Sequence, residues 1–539
     1  MRRITAFTII AAICTVAIFA QSPTAALIPM PNKVVIDAKG AAFNLKKRNK
    51  LHCGLPAESF AVKELMRTIE KRTGVTLVPN KKGDITMRID SAIQDSEHYK
   101  IVVTEKKVEI TGASSTALLH AIRTIDQILL GDIINSNNGK IACLTIDDEP
   151  RYGHRAIMLD PARHFLPVKD VKFFIDQIAK FKYNVLQLHL TDDQGWRVEI
   201  KSHPRLTEKG AFRNKQGGNQ GPDNGYYTQE ELKELVEYAA ERGIEIIPEL
   251  DIPGHSVAIL AAYPQIGCAF RHNEEKNLNA TTNMMLCACS DEAYRIYADI
   301  FKELAEIFPS PNIHLGGDEA AIKANWAKCD DCLALMKEKG YTSPAQLMNV
   351  FFGKMLEEVR KNGKKPTLWC ELDNIWPPAN DYLFPYPADA TLVTWRNALT
   401  PKCIELTQKY GHNLIMAPGE HAYFDYPQYS GDLPEHGNWG MPITTLQQTY
   451  ALDPGYGLPE EERTHILGVM GTLWSEAIRD INRVCYMTFP RALALAEAGW
   501  TEMPQRSWEG FKERIFPCIT DLIKCGVAVR APFEISPRE

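Results

Sequence analysis

Asp318 and Glu319 stand side by side behind the glycine pair Gly316 and Gly317, and a spaced series of polar and aromatic residues accompanies them along the chain. Upstream come Asp160, Arg163, His189, Asp192, Glu249, Asp251 and His255; downstream come Trp369, Glu371, Trp395, Tyr423, Asp425, Trp474 and Glu476. Carboxylates move protons and accept from hydroxyls, an arginine donates in a fixed fork, and indoles offer flat apolar faces. That combination suits a sugar, whose ring face stacks on tryptophan while its hydroxyls bond the charged groups. Singly, none of these residues says much. A tryptophan usually packs, Asp-Glu beside glycine is common in turns, and a satisfied structural histidine is the alternative reading of His255. The weight lies in repetition, because each member of the series closes a short apolar run.

Those runs are the elements that must position the chemistry. Ala156 to Asp160, Val185 to Leu190, Ile244 to Leu250, Ile313 to Gly316, Thr367 to Glu371, Leu392 to Trp395, Leu414 to Met416 and Leu467 to Trp474 read as strands. Amphipathic stretches alternate with them, predicting helices over 168–182, 229–242, 291–307, 344–362 and 482–498. Eight such βα units predict a (β/α)8 barrel over residues 151–539, whose strand ends converge on one mouth. A doubly wound open sheet is the rival, but no Gly-rich nucleotide loop follows any strand. Residues 27–150 have a smaller rhythm of strands and two amphipathic helices, and predict a separate α/β domain with a supporting role.

Composition narrows the partners. With 61 Lys and Arg against 67 Asp and Glu, the net charge of −6 offers no basic face for nucleic acid. Residues 1–20 carry Arg2 and Arg3 followed by an apolar run from Ile4 to Ala20, the pattern of a secretory signal peptide. An uncleaved anchor is the alternative; the short run and the polar, proline-containing sequence behind it favour cleavage, which leaves no membrane span and predicts a periplasmic or extracellular protein. An oxidising compartment permits disulfides among the 13 cysteines. Cys287 with Cys289 and Cys329 with Cys332 have the spacing of ligand pairs, but zinc requires the two pairs to converge, and no further ligand rhythm lies between them. The sequence therefore favours local disulfides or thiols over a metal.

The runs Arg155-Ala-Ile-Met-Leu-Asp-Pro-Ala-Arg-His164, His189-Leu-Thr-Asp-Asp-Gln-Gly-Trp196, Glu249-Leu-Asp-Ile-Pro-Gly-His255 and His314-Leu-Gly-Gly-Asp-Glu319 resemble glycoside hydrolase family 20, the β-N-acetylhexosaminidases. Tyr423-Phe-Asp-Tyr-Pro-Gln428 and Leu473-Trp-Ser-Glu476 fit the same family, and the small domain resembles its companion domain. Met470-Gly-Thr, ahead of Leu473-Trp474, departs from the more polar stretch of many members.

The resemblance implies retaining hydrolysis in which the substrate's 2-acetamido oxygen, not an enzyme carboxylate, attacks the anomeric carbon. Glu319 is then the acid/base, Asp318 the acceptor for the acetamido N–H, and Tyr423 the donor that aims the acetamido oxygen. Arg163, Asp425 and Glu476 are expected on the sugar hydroxyls, and Trp369, Trp395 and Trp474 around the acetamido group and ring. Asp192 and His255 complete the polar network behind Glu319. The resemblance implies no metal or organic cofactor, and a partner that is an oligosaccharide or glycoconjugate ending in N-acetylhexosamine. Two other functions stay open: a glycan-binding barrel without activity, and a retaining glycosidase with two carboxylates for unmodified sugars.

Overall fold

The computed structural model describes residues 24–46, 48–134, 139–212, 224–268, 284–371, 387, 389–432 and 441–535. The expected signal segment, 1–20, lies outside the described residues.

Eight parallel strands close into a barrel: His154–Leu159, Val185–Thr191, Glu245–Leu250, Asn312–His314, Lys365–Trp369, Thr391–Thr394, Leu414–Met416 and Ile466–Leu473. The last pairs with the first from His154 opposite Gly468 to Leu159 opposite Leu473. Ser475 locks that seam, its N–H on Asp160 Oδ2 at 3.0 Å and its hydroxyl on the Asp160 carbonyl at 2.7 Å. The expected barrel is present.

Period-two alternation sorts each strand between lumen and helix layer. Ala156, Met158, Val185, Ile247, Val393, Ile415 and Met470 form a compact apolar cluster of their own, the lumen floor. Continuing each alternation upward gives Asp160, His189, Glu249, Trp395 and Trp474, so the same lumen turns polar towards its C-terminal mouth. Met470, the departure from the more polar family pattern, is fully buried in that floor.

The helices follow their predicted faces, with one difference. The stretch 482–498 forms two helices, Ile481–Thr488 and Arg491–Trp500, because Pro490 cannot donate to the helical ladder and disfavours helical geometry at Phe489. The break frees Arg491 to donate to the carbonyls of Phe424 at 2.6 Å, Tyr426 at 2.9 Å and Thr444 at 3.0 Å. The loop that carries Tyr423 and Asp425 is thereby held from beneath.

The preceding domain is a seven-stranded mixed sheet whose order runs Val34–Ile36, Leu144–Asp148, Tyr99–Val103, Val108–Gly112, Ile85–Ile89, Arg48–Cys53, Thr76–Pro79. Helices Phe60–Thr73 and Ser115–Ile134 pack on it. Trp500, from the barrel, is fully buried within this domain's core cluster. Its indole N–H reaches Asp148 at 3.0 Å, Lys182 lies 4.3 Å above its ring, and Tyr99 donates to Asp148 at 2.6 Å. Nearby, Glu97 of the small domain receives Arg155 of the first barrel strand, and His120 at 2.7 Å.

Candidate active site

The mouth is assembled from backbone that ordinary residues resist. Glu319 and His255 both have φ of +46°, and Gly316 sits at +64° where a Cβ would fall 1.8 Å from Asp251 Oδ1. Gly316 is thus required by the tight turn that lifts Asp318 and Glu319 above the fourth strand. Glu371, buried at the end of the fifth strand, accepts the Glu319 backbone N–H at 2.9 Å and helps hold that turn.

The two adjacent carboxylates differ in setting. The Asp318 side chain is 10% exposed and that of Glu319 47%. His255 faces both, its Nε2 3.9 Å from Asp318 Oδ2 and 3.8 Å from Glu319 Oε2. Enclosure in the mouth and the Asp318 charge push the Glu319 carboxyl above its ordinary range, while His255, Arg396 and Arg163 pull back. Asp318 Oδ1 is shielded from solvent and has no hydrogen-bond partner among the described residues.

Behind them runs a buried charge chain. Asp192 meets Arg163 at 2.8 Å, His189 at 2.8 Å and His255 Nδ1 at 3.2 Å. Burial opposes its charge, but Arg163, His255 and His189 outweigh it and hold Asp192 well below the carboxylate range. The same balance, burial against Asp192, Asp251 and Asp318, holds the His255 ring well above its ordinary value. His189 continues to Glu249 at 3.1 Å, and Glu249 takes His314 at 3.1 Å, Gln187 at 2.8 Å and the Trp369 indole N–H at 2.8 Å.

The other wall presents Tyr423, Asp425, Trp474 and Glu476. Tyr423 is buried, with Trp474 in hydrogen-bonding reach of its hydroxyl, and burial pushes that hydroxyl well up. Asp425 is likewise raised, by burial first and by Glu476 second. Arg163 bridges the walls: it pairs with Asp160 at 3.0 Å, stacks 4.9 Å above the Trp474 ring, and lies 3.8 Å from Glu476. Trp369 and Trp474 lie 5.6 Å apart at 50°.

All eleven residues singled out in the sequence therefore line or underlie this mouth. Their depth differs. Asp192 is engaged on both oxygens, by Arg163 and His189 on one and by His255 on the other, which ties it to the residues around Glu319. Trp369 is 1% exposed, so it lies beneath the mouth surface. Sequence reasoning does not single out Arg396, which stacks 4.0 Å over Trp395 and stands 3.6 Å from Glu319; its only signal is its place directly after a strand-end tryptophan. Nor does it assign Gln187 and His314 to the buried chain.

The cysteine pairs do converge, contrary to expectation. Cys268, Cys287, Cys329 and Cys332 gather with their sulfurs within 4.8 Å of one another, Cys289 lies beside them, and no disulfide occurs among the described residues.

A barrel with a carboxylate-rich, tryptophan-walled mouth defines a carbohydrate-active enzyme, and comparison with known proteins specifies it. The profile of the glycosyl hydrolase family 20 catalytic domain matches residues 152–503, and that of the family's domain 2 matches residues 24–149. The chain belongs to glycosyl hydrolase family 20. A beta-hexosaminidase of Akkermansia muciniphila is 39% identical over 423 residues, covering 78% of this chain and 83% of that protein. Among solved structures, a Vibrio harveyi exo beta-N-acetylglucosaminidase in complex with N-acetylglucosamine superposes with a TM-score of 0.81 at 28% identity, covering 95% of this chain and 79% of that one. A mutant Streptomyces plicatus beta-hexosaminidase in complex with product GlcNAc gives 0.79 at 28% identity, with 96% and 98% covered.

Proposed function

We propose that this glycoside hydrolase is an exo-acting β-N-acetylhexosaminidase that releases terminal β-linked GlcNAc or GalNAc with retention, using the substrate's own acetamido group as nucleophile. The observation that carries the reading is the pairing of Glu319, exposed in the mouth beside His255, with Asp318, whose shielded Oδ1 has no donor among the described residues. A buried acceptor left unpaired costs about 1–3 kcal/mol, so this one is matched to a donor that arrives with the ligand. The acetamido N–H is that donor. The names of the relatives, and the N-acetylglucosamine held by two of the neighbouring structures, support the same substrate class.

In the first step the acetamido oxygen bonds to the anomeric carbon, the glycosidic C–O bond breaks, and Glu319 gives its proton to the departing oxygen. Asp318 stabilises the positive charge that spreads onto the oxazolinium nitrogen, and Tyr423 donates to the acetamido oxygen before attack. Water then attacks the same carbon, Glu319 takes its proton, and the acetamide is restored. Arg163, Asp425 and Glu476 take the hydroxyls, while Trp395 and Trp474 wall the sugar above the buried Trp369.

The experiment compares p-nitrophenyl β-GlcNAc with the β-glucoside and adds a thiazoline analogue of the cyclised intermediate. Cleavage confined to the N-acetyl substrate and thiazoline binding far tighter than product are expected. Equal cleavage of the glucoside, or a covalent 2-fluoro-sugar adduct on an Asp or Glu, means an enzyme nucleophile and overturns the reading. Inactivity on every aryl glycoside, with retained sugar binding, would return the silent glycan-binding barrel.

We further infer export. The support is Arg2 and Arg3 ahead of the apolar Ile4 to Ala20 segment, and among the described residues no helix is long and apolar enough to cross a membrane. Mass spectrometry of protein from the native host should lack residues 1–20, and an intact leader overturns the inference.

A further inference from the structure

Cys268 and Cys287 belong to the loop that follows the third barrel strand and carries His255; Cys329 and Cys332 belong to the loop that follows the fourth and carries Asp318 and Glu319. All four are buried, at 4%, 0%, 2% and 0% exposure. The Cys332 sulfur lies 3.7 Å from that of Cys268 and 3.7 Å from that of Cys287. A zinc ion with Zn–S bonds of about 2.3 Å at the centre of a tetrahedron sets its sulfurs about 3.8 Å apart. A disulfide needs about 2.05 Å, and joins two sulfurs where here four converge. By contrast Cys370 and Cys403, 3.2 Å apart elsewhere in the barrel, have no third and fourth partner of this kind among the described residues.

The surroundings favour anionic sulfur. Cys329 is the N-cap residue of helix Asp330–Glu338 and Cys332 lies in its first turn, so both stand at the positive end of that helix. Helix N-termini stabilise thiolates. The two loops already meet beside the cluster, where the Trp326 indole N–H bonds the Leu286 carbonyl at 2.8 Å and the Met285 N–H reaches Asn325 Oδ1 at 3.3 Å.

We propose that Cys268, Cys287, Cys329 and Cys332 bind one Zn²⁺ as a tetrahedral all-thiolate site that staples the loop of His255 to the loop of Asp318 and Glu319. Four S–H protons pass to solvent as four Zn–S bonds form. The ion takes no part in glycoside cleavage, and the site stands whether or not the substrate assignment does. Cys289 comes within 3.9 Å of the Cys332 sulfur but is not among the four whose sulfurs all lie within 4.8 Å of one another, and it lies outside the ligand set.

The test is metal analysis of the full chain, supplied with zinc in the presence of a reductant and then freed of loosely bound metal by dialysis. About one zinc per chain is expected, released by an organomercurial as four thiols react, and replaced by cobalt with the intense visible absorption of tetrahedral thiolate coordination. Cys329→Ser and Cys332→Ser should retain less than about a tenth of the metal, and Cys289→Ser should retain all of it. Wild-type protein without stoichiometric metal, iron in place of zinc, or non-reducing peptide maps that find these four cysteines in disulfides would each overturn the proposal. Because the wild-type measurement requires no variant to fold, a failure of the serine variants cannot obscure the result.

Discussion

Glu319 and Arg396 set the acid/base chemistry between them, and each has a separable signature. Glu319→Gln removes the proton donor and should lower turnover on an unactivated oligosaccharide by about 10²–10⁴, with a smaller loss on aryl substrates whose leaving group needs no proton. Near-normal oligosaccharide turnover would remove Glu319 from the role. The alkaline limb of kcat/KM reports loss of the Glu319 proton. Arg396 pulls the Glu319 carboxyl down and Asp318 pushes it up, so Arg396→Gln should move that limb to higher pH and Asp318→Asn to lower pH. Opposite movements in the two pH profiles are the check; a shared direction would mean that another group is titrating. Residues at this scale were legible where a polar type closed an apolar strand, as with Arg163, Asp318 and Trp474. Gln187 lies inside a strand and His314 ends a three-residue one, and one sequence does not say which face either takes or what meets it there. Cys268 stands alone in the sequence, and only folding brings it to the other cysteines.

The elements supply what the residues cannot hold unaided. The turn after the fourth strand exists because Gly316 accepts positive φ and brings no Cβ against Asp251. Gly316→Ala should cost at least about 2 kcal/mol from conformation and clash together, and should displace Asp318 and Glu319. Turnover should fall more than tenfold while far-ultraviolet circular dichroism keeps the barrel signature; unchanged kinetics would show that the turn has slack. Strand and helix positions were legible because a buried parallel strand is a continuous apolar run and its helices carry one apolar stripe. The break at Pro490 shows the limit of that signal. Apolar periodicity persists across 482–498, and the interruption comes from a missing N–H that a periodicity count does not register.

Taken as a whole molecule, the two domains meet through charge buried around apolar packing. Burial disfavours the Glu97 carboxylate, yet Arg155 and His120 hold it down to about 2. A depressed carboxylate contributes stability that is complete above its unfolded value and is lost as pH falls through its folded one. Acidification between about pH 4.5 and about pH 2 should therefore loosen the joint. Glu97→Gln should cost about 3 kcal/mol at neutral pH by leaving Arg155 buried without its anion, and should flatten the acid dependence of Tm in calorimetry. An unaltered slope would place the acid-sensitive groups elsewhere. The existence of two domains was legible in the change of rhythm near residue 150, but their union was not, since it rests on contacts between distant positions such as Asp148 and Trp500. Trp500 ends the helix Arg491–Trp500, which follows the eighth barrel strand, and lies in the core of the other domain. Such a residue makes the halves poor cassettes for recombination. A companion domain transplanted from a relative would have to arrive with its own counterparts of Tyr99, His120 and Asp148, and a barrel cut free at the boundary would carry an indole and a lysine, Lys182, with nowhere to go.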